Sequence, residues 1–412
     1  MVVQAAESRP NRDEIMSAAP ASTTSSADVK LEGKDVVELQ AEVDRLRKEV
    51  NSQIVKKRLP RSHSVDLDDD DTNAHTQFRS AVKEVSGRDQ GAGQLSVDSI
   101  TARKYLKGHY GKVYSVHWSA DNERVISASQ DGTLIVWNGQ TQNKISLIPL
   151  RCSWVMSCAF DQTTPKSTTV ACGGLDNVCT IYVGDSDSDN PYANGPKAEL
   201  VGHDGYVSCC RFATADKIIT SSGDQSCAIW DITNERRVAS FTGHTSDVMY
   251  TSINPTNSNV FASSSCDMQA RVWDSRAPQY STHEFWGHDG DVNCVEFFSD
   301  GNTIVTGSDD ASLRLWDLRS GKEFATFVSD QCMTGVTSLA VSHSGGLIFS
   351  GHDDYNCNVW STLEPDKPPT TLIAKAYYSH HTHKSRLSCL GISPDGSALC
   401  SGSWDTNIII WA

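Results

Sequence analysis

Seven times between Asp131 and Asp405 the chain repeats one phrase: a Ser/Thr/Gly-rich stretch, an Asp, and an apolar run that closes on an aromatic residue. The aspartates are Asp131, Asp176, Asp224, Asp267, Asp310, Asp354 and Asp405, and subtracting neighbours gives spacings of 45, 48, 43, 43, 44 and 51. Five repeats open on a histidine, namely His109, His203, His244, His288 and His383, and the His-to-Asp distances are 22, 21, 23, 22 and 22. A small four-stranded unit recurring at this interval buries its faces against copies of itself. The spacing therefore predicts an all-β, seven-bladed β-propeller over residues 98–412.

A Gly-His opening and a Trp-Asp closing at a period of about 40–45 residues is the WD40 pattern. Thr382 stands where the last unit's Gly is expected. The apolar run Ile408–Trp411 is followed only by Ala412, which leaves the seventh blade one strand short. The alternating segment from Ser99 to Leu106 is expected to supply that strand, closing the ring with no long unpaired edge.

The net charge is −15, from 36 Lys and Arg against 51 Asp and Glu. Residues 1–95 hold 14 basic and 17 acidic residues, so the remainder holds 22 and 34, a balance of −12. An acidic propeller lacks the basic stripe that phosphate neutralisation needs, so nucleic acid is not an expected partner. The thirteen cysteines form no Cys-x-x-Cys pair, and Cys179, Cys209, Cys227 and Cys294 fall inside expected strands. They read as small buried hydrophobes in a reducing, cytoplasmic setting. With no run of 18 apolar residues and no lipidation signal, membrane attachment is expected only through partners.

Residues 1–34 are rich in Ser, Ala and Thr without apolar periodicity, and read as a disordered extension. Over 35–59 the pattern changes: Val36, Leu39, Val43, Leu46 and Val50 recur with spacings of 3, 4, 3 and 4. Asp35 is placed to cap a helix, Glu38 stands three residues on, Asp44 faces Lys48, and Pro60 follows the end. Val at a and Leu at d favours a parallel two-stranded coiled coil. Two heptads are short for an isolated helix, so a partner helix is expected, the alternative being a helix that folds back on its own propeller. Residues 60–97, with Asp68 to Asp71 and a Gly-Ala-Gly step, read as a solvated acidic linker in which Arg61-x-x-Ser64 offers a phosphorylation pattern.

Each regular repeat holds a His, a Ser or Thr, an Asp and a Trp, as in His288, Thr306, Asp310 and Trp316. Taken singly this resembles a hydrolase triad, but its recurrence in five repeats points to five structural networks pinning strands to turns. No catalytic residue, metal cluster or cofactor loop is expected. Large side chains instead fall at the loop-side ends of strands: Tyr110, Lys112, Tyr114, Trp154, Met156, Tyr206, Met249 and Trp404. Aromatics from several blades at equivalent positions suit one continuous protein-binding surface.

The stretches Leu106–His109, Ile148–Met156, Val170–Asn177, Gly205–Phe212, Phe241–Met249, Tyr355–Trp360 and Gly402–Asp405 closely resemble the beta subunits of heterotrimeric G proteins, from about residue 36 to the end apart from the linker. The resemblance implies a non-catalytic signalling scaffold acting with G protein-coupled receptors. Its helix would pair with an obligate, lipidated gamma subunit, and its top face would hold the GDP-bound alpha subunit and, after release, effectors. It implies a cytoplasmic protein held at the inner face of the plasma membrane through those partners. Carried over by motif, the face comprises Tyr110, Lys112, Tyr114, Asn143, Lys144, Trp154, Met156, Leu175, Asn177, Asp204, Tyr206, Asp247, Met249, Cys266, Asp291, Asn293, Asp309 and Trp404. A general WD40 adaptor is the other reading, though that class lacks the heptad helix.

Overall fold

Each phrase of the repeat folds as a four-stranded antiparallel meander. In the first blade the strands are Val113–Trp118, Arg124–Ser129, Thr133–Asn138 and Lys144–Pro149. The two middle strands carry β-branched and small residues and are almost wholly buried, whereas the outermost alternates exposed and buried positions, as a strand with one wet face must. This computed structural model describes residues 76, 78–80, 82, 100–185, 191–330, 332–363, 369–371 and 383–412. The extension 1–34, the heptad helix 35–59 with Val36 to Val50, most of the linker including Ser64, and Thr382 lie outside the described residues.

Seven such sheets follow one another around a ring, and adjacent inner strands contact each other all the way round. In the seventh blade the outermost position is filled by Ala102–Lys107, antiparallel to Asn407–Trp411 with Tyr105 opposite Ile409. The Thr101 and Ala412 backbones exchange two hydrogen bonds of 3.1 Å. The missing strand is thus supplied from the N-terminal side, and the ring closes.

Cores lie between blades. One runs across the closing seam through Leu106, Val113, Trp118, Trp137, Cys400 and Ile408. The histidine networks lie beside these cores. His288 Nδ1 is 2.9 Å from Asp310 Oδ2 and its Nε2 is 2.7 Å from Thr306 Oγ1, to which Trp316 Nε1 also donates at 2.9 Å. The blades opened by His109, His203, His244 and His383 repeat this, with His-to-Asp distances of 3.0, 2.7, 2.8 and 3.1 Å. Burial alone would raise the Asp310 carboxyl. Hydrogen bonds from His288 and Ser312 and from the Asp289 N–H outweigh it and hold the group well below the usual carboxylate range. The residue after each aspartate turns through left-handed space, with φ of 74° at Gly132, 63° at Asn177, 70° at Gln225, 67° at Met268, 62° at Ala311, 75° at Tyr355 and 70° at Thr406.

The sixth and second blades, which lack the opening histidine, solve the problem differently. In the sixth, His352 comes from the end of strand Leu347–His352: its Nε2 is 2.7 Å from Ser350 Oγ, to which Trp360 Nε1 donates at 2.8 Å. Cys332 Sγ lies 3.3 Å from the same ring and accepts from Asn358 Nδ2 at 2.9 Å. In the second blade no imidazole is present. Asp176 is exposed and, among the described residues, receives one bond, from the Val178 N–H at 3.4 Å.

The linker departs from its reading as a solvated run at its few described positions. Thr76, Phe78, Arg79, Ser80 and Val82 are helical, and Phe78 and Val82 are buried. The Phe78 ring lies 5.2 Å from that of Phe298 and 5.3 Å from that of Phe324. Two apolar residues four apart share one helix face, and that face covers apolar surface on the fifth blade.

Candidate protein-binding face

The inner strands begin at Val113, Val155, Val207, Val248, Val292, Val336 and Leu387. The residue before each forms a first ring: Lys112, Trp154, Tyr206, Asp247, Asp291, Gly335 and Arg386. In all seven blades the pairing register slips between the first and third residues of the inner strand, leaving the second as a bulge. The bulged residues form a second ring: Tyr114, Met156, Ser208, Met249, Asn293, Thr337 and Ser388. A bulge re-aims its side chain, and here Tyr114, Met156, Met249 and Asn293 line a central cavity of about 270 Å³ together with Arg386 and Trp404. A third ring precedes the seven repeat aspartates: Gln130, Leu175, Gly223, Cys266, Asp309, Asp353 and Trp404. Its N–H groups donate to first-ring carbonyls in six blades, as from Leu175 to Trp154 at 3.0 Å and from Trp404 to Arg386 at 3.0 Å. The sheet ladder itself thereby fixes the first and third rings to each other.

Hydroxyl and amide bulges reach the next blade. Ser208 Oγ donates to Val248 O at 2.5 Å, Asn293 Nδ2 to Val336 O at 2.9 Å, Thr337 Oγ1 to Leu387 O at 2.5 Å and Ser388 Oγ to Val113 O at 2.5 Å. The three apolar or aromatic bulges make no such clasp and line the central cavity. Tyr114 stands between Trp154 and Trp404, with ring centroids 6.4 and 6.0 Å away. Trp404 is flanked by two cations: Lys112 Nζ is 3.7 Å and the Arg386 guanidinium 5.1 Å from its ring centroid. Arg386 is also paired with Asp353 at 2.8 Å.

Across the ring the character changes. Tyr206 donates its hydroxyl to Asp247 at 2.9 Å, and burial together with that carboxylate raises its phenol. Burial and the neighbouring Asp291 push the Cys266 thiol up to about 12, so it stays protonated at neutral pH. Asn293 Nδ2 donates to Asp309 at 2.6 Å. The face is thus aromatic and cationic over the seventh, first and second blades and acidic over the fourth and fifth. Trp154 and Leu175 are 41% and 48% exposed, enough for a partner to cover.

Tyr110 and Asp204 stand outside the rings, following the opening histidines, and their N–H groups donate to Asp131 at 2.9 Å and Asp224 at 3.1 Å. Asn177 occupies the left-handed turn after Asp176. Asn143 and Lys144 are not brought into the rings. Asn143 precedes the outermost strand of the first blade, at the far end from Lys112, and Lys144 lies on the blade's flank with Nζ 3.2 Å from Gly108 O. Arg386, Asp353 and Gln130 also stand in the rings, although neither residue type nor motif marks them in the sequence. Counting three residues on from His383 finds Arg386 at the same register as Lys112. Among the described residues no group of three His, Cys, Asp or Glu is placed to hold a metal ion.

Comparison with known proteins agrees with this architecture. The sequence pattern of the family described as G protein beta WD-40 repeat protein matches residues 65–412. The chain is 44% identical over 347 residues to a guanine nucleotide-binding protein subunit beta of Nicotiana tabacum, covering 80% of this chain and 89% of that one. It is 46% identical over 317 residues to the Arabidopsis thaliana protein of that name, covering 74% and 82%. It is 43% identical over 340 residues to that of Oryza sativa subsp. japonica, covering 79% and 87%. The spacing of the repeats, the closed seven-bladed ring and these similarities together establish that the chain belongs to the G protein beta WD-40 repeat family.

Proposed function

We propose that the chain is a non-catalytic G protein beta scaffold that holds a GDP-bound alpha subunit on the ringed face and presents the same face to effectors once alpha departs. The observation that carries this reading is the convergence of Tyr114, Trp154, Trp404 and the two flanking cations on one edge of the face. Aromatics held by their own blades lose little side-chain entropy on binding, which is what hot spots require. The ring is clasped at four bulges, so release need not come from a change in the propeller. A partner whose own surface reshapes on nucleotide exchange supplies the differential affinity.

The heptad at 35–59 is proposed to pair with a helical gamma subunit, and a lipid on that partner would bring the complex to the inner face of the plasma membrane from the cytoplasm. Receptors upstream belong to the same proposal. The test is co-expression with a gamma subunit followed by titration with alpha in its GDP form. A soluble 1:1 dimer whose alpha affinity falls in Trp154→Ala is expected. Unaltered affinity in a well-folded dimer overturns the face, and abundant monodisperse chain without gamma overturns obligate pairing.

A further inference from the structure

The second blade has a vacancy where five others hold an imidazole. By strand register Arg151 stands at the position of His109 and His203, Cys172 at that of Ser127 and Thr220, and Tyr182 at that of Trp137 and Trp230. Arg151 does not enter. Its side chain is 80% exposed and pairs outward with Glu199 at 2.8 Å. What remains is a cavity of about 510 Å³ with Cys172 and Tyr182 among its walls and Asp176 and Glu199 towards the solvent.

In the five blades that open on a histidine the second carboxylate oxygen of the aspartate takes two hydrogen bonds, one from the imidazole and one from the N–H after it, as Asp224 Oδ2 does from His203 at 2.7 Å and from Asp204 at 3.1 Å. Among the described residues Asp176 takes neither and keeps only the turn bond from Val178. Cys172 is only 5% exposed, and no described group hydrogen-bonds its thiol. Burial, and then the neighbouring Cys210 and Cys158, hold that thiol well above its ordinary range. It therefore remains an S–H donor. The cavity thus offers an acceptor at its mouth and a donor at its wall, at the places of the aspartate and the hydroxyl that an imidazole meets in the five histidine-opened blades. Its size is within the range of ligand pockets.

We propose that this cavity is a binding site for an imidazole group, of the kind a partner protein presents on a histidine side chain. The opening adjoins Leu175 and the Ser153–Trp154 backbone, so that a partner seated on Trp154 has the cavity within reach. That the partner is the one docked on the ringed face rests on the functional reading above, whereas occupancy by imidazole does not, and the experiment separates the two.

The full chain, purified with its partner subunit, is heated with increasing 4-methylimidazole at pH 9.5, where the probe is neutral. Ligand binding to the native state raises the unfolding midpoint, and a dose-dependent rise is expected. 4-Methylthiazole, of the same shape but without an N–H, should need at least fivefold more for the same rise, and so should the imidazole acting on Asp176→Asn. The double variant Arg151→His with Cys172→Ser supplies the blade with its own ring and should lose the response. Asp176 is exposed and weakly bonded, so its variant keeps the test valid should the double variant fail to fold. No rise with 4-methylimidazole, equal potency of the two probes, or an unchanged response in Asp176→Asn overturns the proposal. A probe response with no effect on alpha binding leaves the imidazole site standing and removes only its link to the docking face.

Discussion

Lys112 Nζ sits 3.7 Å above the ring of Trp404, joining the first blade to the seventh across the seam that closes the propeller. Arg386 approaches the same ring at 5.1 Å, so that one indole gathers two cations at the edge of the candidate face. Such contacts are worth about 0.5–1 kcal/mol each at exposed sites, enough to hold both side chains in place for a partner without fixing the fold.

Trp154→Ala should weaken binding of a GDP-bound alpha subunit by about 2 kcal/mol or more, a factor near 30, because it removes a half-exposed aromatic anchor. Lys112→Ala should cost less and chiefly at low salt, since a rim charge acts through screened attraction. Calorimetric titration at two salt concentrations measures both effects. Gamma binding and melting should be unchanged, because neither side chain belongs to a buried core cluster.

The seven aspartates should not be equivalent. Asp310→Ala leaves His288 and Ser312 without their acceptor in a buried setting and should cost about 1–3 kcal/mol. Asp176→Ala removes one long bond at an exposed position and should stay within about 0.5 kcal/mol. Denaturant midpoints of the two variants, measured side by side, check this. Equal losses would contradict the vacancy in the second blade.

Acid should unfold the ring through its histidine-bound carboxylates. Asp131, Asp224 and Asp310 are held well below the ordinary range; burial pushes each up, and the histidine, hydroxyl and N–H donors override it. A depressed native pKa stabilises above the unfolded value of about 3.9, and that contribution is lost as pH falls further. Stability contributed by these groups should therefore hold from neutrality to about pH 4 and decline below it. In Asp310→Asn the decline should be shallower. Circular dichroism against pH gives both slopes.

Val43→Asp should abolish pairing with a gamma helix, because it places a carboxylate at a central a position with no counter-charge. Asp44→Ser lies one residue on, at an outward b position, and should bind normally. Co-purification of each variant with gamma is the measurement, and equal recovery would overturn the heptad register.

The closed ring and its five networks were legible because His, Ser or Thr, Asp and Trp recur at fixed distances, and the fold leaves them no other arrangement. His352 was not legible. It lies two residues before Asp354 rather than at the blade opening, and only the folded strand brings its ring to Ser350. The bulges were equally hidden, since a one-residue slip in pairing leaves no mark in composition. Asn143 and Lys144 entered the candidate face by motif alone, and the strand direction carries them to the opposite end and flank of the first blade. Phe78 and Val82 were lost among the charges of the linker, where two apolar residues are too few to show a period.

The division of the bulges into four clasps and three bare side chains has a mechanical consequence. At the level of the rim, Tyr114, Met156 and Met249 mark the joints between blades one and two, two and three, and four and five, where no bulge side chain ties one blade to the next. Deeper ties cross these joints, as from the Cys158 N–H to Ser115 Oγ and from the Cys210 N–H to Ser157 Oγ, but a protein that lies across the three residues adds a link at the rim itself, and its footprint acts as an external brace. Amide protons at Val155, Val207 and Val292, the strand starts across those three joints, should then exchange more slowly when the face is occupied, while those at Val248, Val336, Leu387 and Val113, already tied by their neighbours' bulges, should change little.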